Sequence, residues 1–383
     1  MIAKPLLPKT QRAIVQPSIL SIGKSLPTYA LSQLEIAERL NDLLQLPDEE
    51  AWLLEKIYKN SEINKRYSVL PDIMHPKSRF SMPSQGIRFV GMSERNADYK
   101  KEAPKLAEKS AKEALTHWGR NPKEITHIIS VSCTGVMTPG IEFFLSRQFN
   151  LAPDVSLLGI NFMGCFGAFK ALKVASKIAK ADPKNRILLV STELCTLHFK
   201  PRGDIESIVI QSLFADGSAA VIVGCAPLKD ENPIFELVDE SSYAIQDTME
   251  DMTWDASDEG FDMTLSKRVP LLISEHIGTF VKKLVGSSNA LHEYEWAIHP
   301  GGKTIIEAIE KTLSLDRSLT ASSWNVLRNF GNLSSASFLY VLEDIYKRHD
   351  SKDKIVGLGF GPGLSVEGLL LYKSDNLCGN PAL

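Results

Sequence analysis

LLGINFMGCFGAFKALKVASKIAK, residues 157–180, is the stretch from which the fold can be read. An apolar strand, a glycine-flanked turn and an alanine- and lysine-rich helix follow one another in it. The order predicts a strand over Val155–Ile160, a helix over Phe166–Lys180, and Cys165 at the helix N-terminus. The partial positive charge at such a terminus favours thiolate over thiol. Gly164 and Gly167, having no side chains, let a ligand approach the backbone closely.

The alternation extends in both directions. Ile125–Cys133, Arg186–Glu193 and Ser218–Gly224 read as strands. The runs ILLVST (187–192) and AAVIVG (219–224) are apolar almost throughout, as suits strands covered on both faces. Upstream, residues 1–25 read as an extended arm, followed by helices at Leu31–Leu44, Glu49–Asn60 and Asp98–Trp118. Downstream the theme returns: strands at Glu236–Tyr243 and Glu295–His299, helices at Val269–Val285, Thr304–Leu313 and Ser334–Arg348, and closing strands at Lys354–Phe360 and Gly368–Lys373. No internal sequence repeat or linker stands out. The fold class is α/β, with two halves (1–230 and 231–383) fused round one core as an α/β/α/β/α sandwich.

The 383 residues are 44% hydrophobic and 23% charged, with a net charge of −3. That size buries a large core, and the balance carries no electrostatic signature of nucleic-acid or membrane binding. Prolines interrupt the N-terminal stretch where a signal peptide needs an apolar run, and no apolar run approaches the roughly 20 residues that span a bilayer. The expectation is a soluble cytoplasmic protein. Lys170, Lys173, Lys177 and Lys180 recur at helical spacing and read as a solvated face.

Five cysteines, Cys133, Cys165, Cys195, Cys225 and Cys378, are widely spaced without a CxxC pair, so neither a disulfide framework nor a metal site is suggested. Each is by default a buried small hydrophobe. Two other segments give Cys165 company. EWAIHPGGKTIIEAIE (295–310) puts His299 between an apolar strand and a helix, at the carboxyl edge of a sheet where α/β folds gather ligands. NFGNLSSASFLYVLEDIYKR (329–348) puts Asn332 just before a helix, where an asparagine also serves as a cap. A thiolate, an imidazole and an amide supply a nucleophile and a two-donor oxyanion hole. Decarboxylative condensation of thioesters needs that set and no metal or cofactor.

Six motifs in order make the chain resemble the type III polyketide synthases of the chalcone and stilbene synthase superfamily over nearly its whole length. They are CTGVMTPG (133–140), MGCFGAF (163–169), QSLFADGSAAVIVG (211–224), IHPGG (298–302), FGNLSSAS (330–337) and GFGPGLSVEG (359–368). The resemblance implies a thiolase fold and a catalytic set of Cys165, His299 and Asn332. It further implies acyl-CoA and malonyl-CoA as substrates and a homodimer in which Met137 or Thr138 reaches towards the partner. Phe214 takes the gatekeeper position between CoA tunnel and cavity, and Met263 stands where plant enzymes carry a second gatekeeper. Trp254, Cys133, His198 and Cys195 fall at cavity positions. The stretch round Trp254, MTWDASDEGF (252–261), is similar to bacterial members that make alkylpyrones and alkylresorcinols, and the expected starter is a medium- or long-chain fatty acyl-CoA, the alternative being a malonyl- or short-acyl-primed enzyme. Cys133, being small, is expected to open a tunnel behind the nucleophile. Glu193 and Ser334 match two members of a plant aldol network whose third member would be Cys133, a weak donor. Lys56 and Lys59 are the candidates for holding CoA. Ketoacyl-ACP synthase III is the rival enzyme of the same fold. Thiolase would need a second catalytic cysteine, and Cys378 has no helix or turn to present it.

Overall fold

The apolar runs become strands, and their pairing shows a repetition invisible in the sequence. The computed structural model describes residues 16–71, 81–82, 86–88, 90–225, 228, 231–286 and 290–374; Cys378 lies outside them. In chain order the strands are β1 (Pro17–Ser25), β2 (Tyr29–Ser32), β3 (Lys65–Ser68), β4 (Ser81–Met82), β5 (Gly86–Ile87), β6 (His127–Ser132), β7 (Ser156–Asn161) and β8 (Arg186–Leu194). There follow β9 (Asp216–Cys225), β10 (Phe235–Ala244), β11 (Met252–Ser257), β12 (Gly260–Leu265), β13 (Tyr294–Ile298), β14 (Lys354–Gly361) and β15 (Ser365–Lys373).

Nine of them form one mixed sheet in the order β13–β14–β15–β10–β1–β9–β8–β6–β7. From β1 outward the pairings are antiparallel to β9, antiparallel to β8, then parallel to β6. From β10 outward they are antiparallel to β15, antiparallel to β14, then parallel to β13. The four strands of the second half therefore repeat the pairing of β1, β9, β8 and β6, and β7 is an additional strand at the edge of the first half. The halves meet where β1 pairs β10 through Ser18↔Glu236 and Ile19↔Phe235.

Alternation along each strand builds the layers. Ile187 and Leu189 of β8 and Val221 and Val223 of β9 pack on helices Gly167–Ala181 and Ser337–Lys347, and Ile355, Leu369 and Leu371 from the other half join the same core. The alternate residues Leu188, Val190, Ala220 and Ile222 lie under helix Met92–Trp118. Val356, Leu358, Val366 and Leu370 lie under helix Val269–Val285, beside helix Lys303–Leu313. Five layers result. The middle one holds two helices buried between the halves, with Phe169 and Phe338 stacked at 3.9 Å.

That middle position overturns the reading of the lysines as a uniformly solvated face. Lys173 is buried and ion-pairs with Glu367 of β15 at 2.5 Å, and Lys170 reaches the same carboxylate at 2.6 Å. The helix carrying them is roofed by the second half, so only its end is free to hydrate. The arm is also more structured than its composition suggests. Ser, Gly and Lys break up its apolar run, yet residues 17–25 form the strand that joins the halves. A Cβ on Gly23 would lie 2.3 Å from the Ala114 amide nitrogen, so helix Met92–Trp118 rests directly on that strand. The β11–β12 hairpin and helices Ile141–Gln148, Ile205–Gln211 and Ala321–Phe330 were not expected. No helix among the described residues is long and apolar enough to cross a membrane.

Candidate active site

Cys165 stands in a 3-10 turn, Gly164–Phe166, that leads into helix Gly167–Ala181. Two left-handed residues, Phe162 (φ 59°) and Gly164 (φ 66°), bend the chain out of β7 into that turn. Gly164 is required twice over: by its φ, and because a Cβ there would meet Pro362 Cδ at 2.6 Å. In the second half Ser334 (φ 49°) opens an equivalent turn, Ser334–Ala336, into helix Ser337–Lys347. The two turns pack together, with Gly167 close enough that its Cβ would touch Ser335 Cβ at 3.3 Å.

This packing brings Asn332 to the cysteine. Its Oδ1 accepts from the Ser334 amide at 2.8 Å, which is the turn-capping role, while Nδ2 lies 4.0 Å from Cys165 Sγ and donates to the Gly301 carbonyl at 3.2 Å. One side chain thus serves both the turn and the site. Gly301 belongs to the tight turn after His299, whose main chain extends the β13–β14 pairing through its amide to the Leu358 carbonyl at 2.8 Å. His299 is buried, and neither ring nitrogen has a hydrogen-bond partner among the described residues. Asn332 thus links the turn that carries Cys165 to the turn that follows His299.

The charge of Cys165 departs from the sequence expectation. Burial pushes the Cys165 thiol up to about 12, although bonds from Ser334 and Asn332 pull it down. Burial lowers His299 to about 3. Desolvation outweighs the helix terminus. These directions favour thiol and neutral imidazole at rest, where the helix terminus alone suggested a thiolate.

Cys133 is buried, its thiol donating to Glu193 Oε1 at 3.3 Å and lying 3.5 Å from Ser334 Oγ. The three residues thus come together, and Thr134 Oγ1 adds a bond to Glu193 Oε2 at 3.0 Å. The Glu193 carboxylate stands beside the Cys133 thiol, and the Trp254 indole N–H donates to the Cys133 carbonyl at 2.7 Å. Cys133 and Cys165 line a cavity with Trp254, Met263, Phe214 and Cys195. The last four also line a second cavity that His198 borders. Phe214, Met263, Trp254 and Cys195 therefore form the partition between an outer and an inner chamber.

Phe214 is firmly held. Its carbonyl accepts from Arg66 Nη1 at 2.7 Å, and its neighbours Leu213 and Ala215 bond the Asn332 main chain at 2.9 Å on either side. Arg66, Lys200 and Arg202 are the basic residues lining the outer chamber. Lys56 and Lys59 do not line it: both are exposed on helix Asp48–Lys59, with Lys56 Nζ 4.5 Å from the Trp52 ring centre. Sequence reasoning missed Lys200 and Arg202, though they sit in KPRGD (200–204) just past β8, at the sheet edge that also carries Cys195 and His198.

Residues 7–227 match the family described as chalcone and stilbene synthases, N-terminal domain, and residues 236–374 match its C-terminal domain. The chain belongs to the chalcone and stilbene synthase family. A probable polyketide synthase 1 of Dictyostelium discoideum is 33% identical over 92% of the chain, which spans 11% of that protein's length. The alpha-pyrone synthesis polyketide synthase-like Pks18 of Mycobacterium tuberculosis is 29% identical over 96% of this chain and 92% of its own. Among solved structures, the C-terminal type III polyketide synthase domain of Steely1, a type I/III hybrid from Dictyostelium, superposes with a TM-score of 0.88 at 33% identity, covering 94% of this chain and 99% of that one. Chalcone and stilbene synthases of this type are transferases that perform decarboxylative condensation on acyl-CoA and malonyl-CoA, and the chain is an enzyme of that class.

Proposed function

We propose that the chain loads a medium- or long-chain fatty acyl-CoA on Cys165, extends it with malonyl-CoA and closes the product to an alkylpyrone. The observation that carries the reading is the Asn332 amide, held between Cys165 Sγ and the turn that follows His299. In the loading step the Cys165 proton passes to an unpartnered His299 nitrogen, the thiolate attacks the thioester carbonyl, and the departing CoA sulfur takes that proton back. His299 N–H and Asn332 Nδ2–H then donate to the malonyl thioester oxygen. As carbon dioxide leaves, the enolate they stabilise attacks the acyl-Cys165 carbonyl and frees the cysteine for reloading.

Lactone closure is favoured over aldol closure because a thiol takes a hydroxyl's place in the Glu193–Ser334 network.

The assembly we propose is a homodimer. β7 is an edge strand of the nine-stranded sheet and exposes Leu158, and Val136, Phe143, Phe162 and Met163 are exposed around it. Exposed apolar edges of this kind call for a covering partner. Incubating the purified enzyme with malonyl-CoA and single acyl-CoAs tests the reading: an acyl adduct on Cys165 by intact mass and pyrones by product mass support it. Product formation by Cys165→Ala would refute the assigned nucleophile.

A further inference from the structure

We propose that Ser323 is a positioning residue for the reaction: its hydroxyl ties the His299 strand to the helix that leads to Asn332, and so fixes the spacing of the two oxyanion donors. The inference rests on the polyketide synthase reading above. His299 needs such a device. Neither of its ring nitrogens has a hydrogen-bond partner among the described residues, so main chain and packing place the imidazole. That main chain continues β13, an edge strand of the nine-stranded sheet that pairs with β14 on one side only.

The His299 amide points inward, to the Leu358 carbonyl at 2.8 Å, and the amide of the preceding residue, Ile298, points outward. Among the described strands none lies there to receive it. Ser323 Oγ takes that place, accepting from the Ile298 amide at 2.9 Å and donating to the Trp296 carbonyl at 3.3 Å. One buried hydroxyl thus supplies both the acceptor and the donor that a further strand would offer, immediately before His299. Beside it, Arg348 Nη1 donates to Ser322 Oγ at 3.1 Å and to Glu295 Oε1 of β13 at 2.8 Å, a second tie between the same strand and helix.

Ser323 stands in the first turn of helix Ala321–Phe330, and Asn332 follows the other end. About 10 Å of helix separates Ser323 from Phe330. Gly331 (φ 70°) then turns the chain, its amide bonding the Leu327 carbonyl at 2.9 Å. Asn332 Nδ2 returns to the Gly301 carbonyl at 3.2 Å. The links therefore close a ring: His299, Gly301, Asn332, the helix, Ser323 and Ile298. Opened at Ser323, the end of β13 keeps β14 and the more distant Arg348 tie, and the imidazole shifts relative to the Asn332 amide.

The test measures malonyl-CoA decarboxylation by wild type, Ser323→Ala and Ser323→Thr. A misplacement of about 1 Å costs up to about a hundredfold in rate, so kcat in Ser323→Ala should fall at least about tenfold while KM for malonyl-CoA stays within about twofold. Ser323→Thr keeps the hydroxyl and should regain most of the wild-type rate. A native rate in Ser323→Ala, a loss confined to KM, or a threonine variant no better than alanine would overturn the proposal. Alkylation of Cys165 by iodoacetamide separates placement of His299 from general loosening. The Cys165 proton passes to His299 in that step, so Ser323→Ala should slow it at least about threefold alone and not at all when His299→Gln is already present. Further slowing on top of His299→Gln would show that Ser323 acts elsewhere, and overturns the proposal. If Ser323→Ala does not fold, Ser323→Cys replaces it in the decarboxylation assay. A thiol is a weak donor and acceptor, so kcat should fall at least about threefold, and a native rate overturns the proposal. A wild type that decarboxylates no malonyl-CoA overturns the polyketide synthase reading and this inference with it, whereas an active wild type with unaffected variants overturns the inference alone.

Discussion

Arg66→Met probes how gate and amide are held together. Methionine preserves an apolar stem beside Gly331, where a Cβ would lie 3.0 Å from Arg66 Cγ, and removes three donated bonds. These run from Nη1 to the Gln211 and Phe214 carbonyls at 2.6 and 2.7 Å and from Nε to Gln33 Oε1 at 2.8 Å. A bond from a charged donor contributes about 1.5–3 kcal/mol, so the three are worth roughly 5–9 kcal/mol. Against this stands the desolvation of a buried guanidinium, several kcal/mol that methionine does not incur. The net loss of unfolding free energy should be about 2–4 kcal/mol. Activity should suffer separately. The main chains of Phe214 and Asn332 form a single parallel bridge, so releasing the Phe214 carbonyl lets the Asn332 amide drift from Cys165. Outright loss of an oxyanion donor costs about 100- to 1000-fold, and a displaced one should cost about ten- to a hundredfold in malonyl-CoA decarboxylation. Urea unfolding followed by fluorescence and release of labelled carbon dioxide measure the two effects. Arg66→Lys, a point donor with the same charge, should fall between wild type and Met in both. Native unfolding and a native rate in Arg66→Met would refute the claim that this guanidinium holds the gate.

The Asp216 carboxyl, raised by burial to about 6, is a source of pH dependence. Because the folded protein then binds the proton more tightly than the unfolded chain, stability should fall by about 3 kcal/mol as pH rises from about 4 to 6, and this part of the slope should vanish in Asp216→Asn unfolding curves. Lys200→Glu and Arg202→Glu, at the lining of the outer chamber, should raise KM for CoA thioesters at least about tenfold, the worth of one charge-assisted contact, while Lys56→Glu and Lys59→Glu leave it within twofold; the reverse pattern would return CoA to the helix Asp48–Lys59. If the chain forms the proposed homodimer, Leu158→Lys, which puts a charge on the exposed edge of β7, should shift it to monomer in sedimentation equilibrium, and an unaltered dimer would remove that edge from the interface.

Strands with unbroken apolar runs, such as β8 and β9, were legible because burial on both faces leaves no room for polar residues. The β11–β12 hairpin was not, since MTWDASDEGFDMTL has no unbroken apolar run and its strands are short. The site divides the same way. Cys165, His299 and Asn332 announce themselves through glycine-rich turns at strand ends, which are local features of sequence. Arg66 meets Phe214 across 148 positions of chain, and Lys173 meets Glu367 across 194, so neither partnership leaves a local trace. The resting charge of Cys165 was misread for a related reason: a helix terminus is visible in sequence, whereas depth of burial is a property of the assembled layers.

The doubled sheet has a consequence for how this chain can be divided. Although the first half presents a complete run of strands and helices, helix Gly167–Ala181 packs on residues of the second half, Phe338 and Glu367 among them. A gene cut between β9 and β10 would yield two fragments that each resemble a domain on paper and each expose a dry, leucine- and alanine-rich surface in water. Such fragments should be insoluble when produced singly and regain the native fold only when produced together, the middle layer acting as the adhesive between them. Any redesign that swaps halves between relatives must therefore carry both central helices as a matched pair.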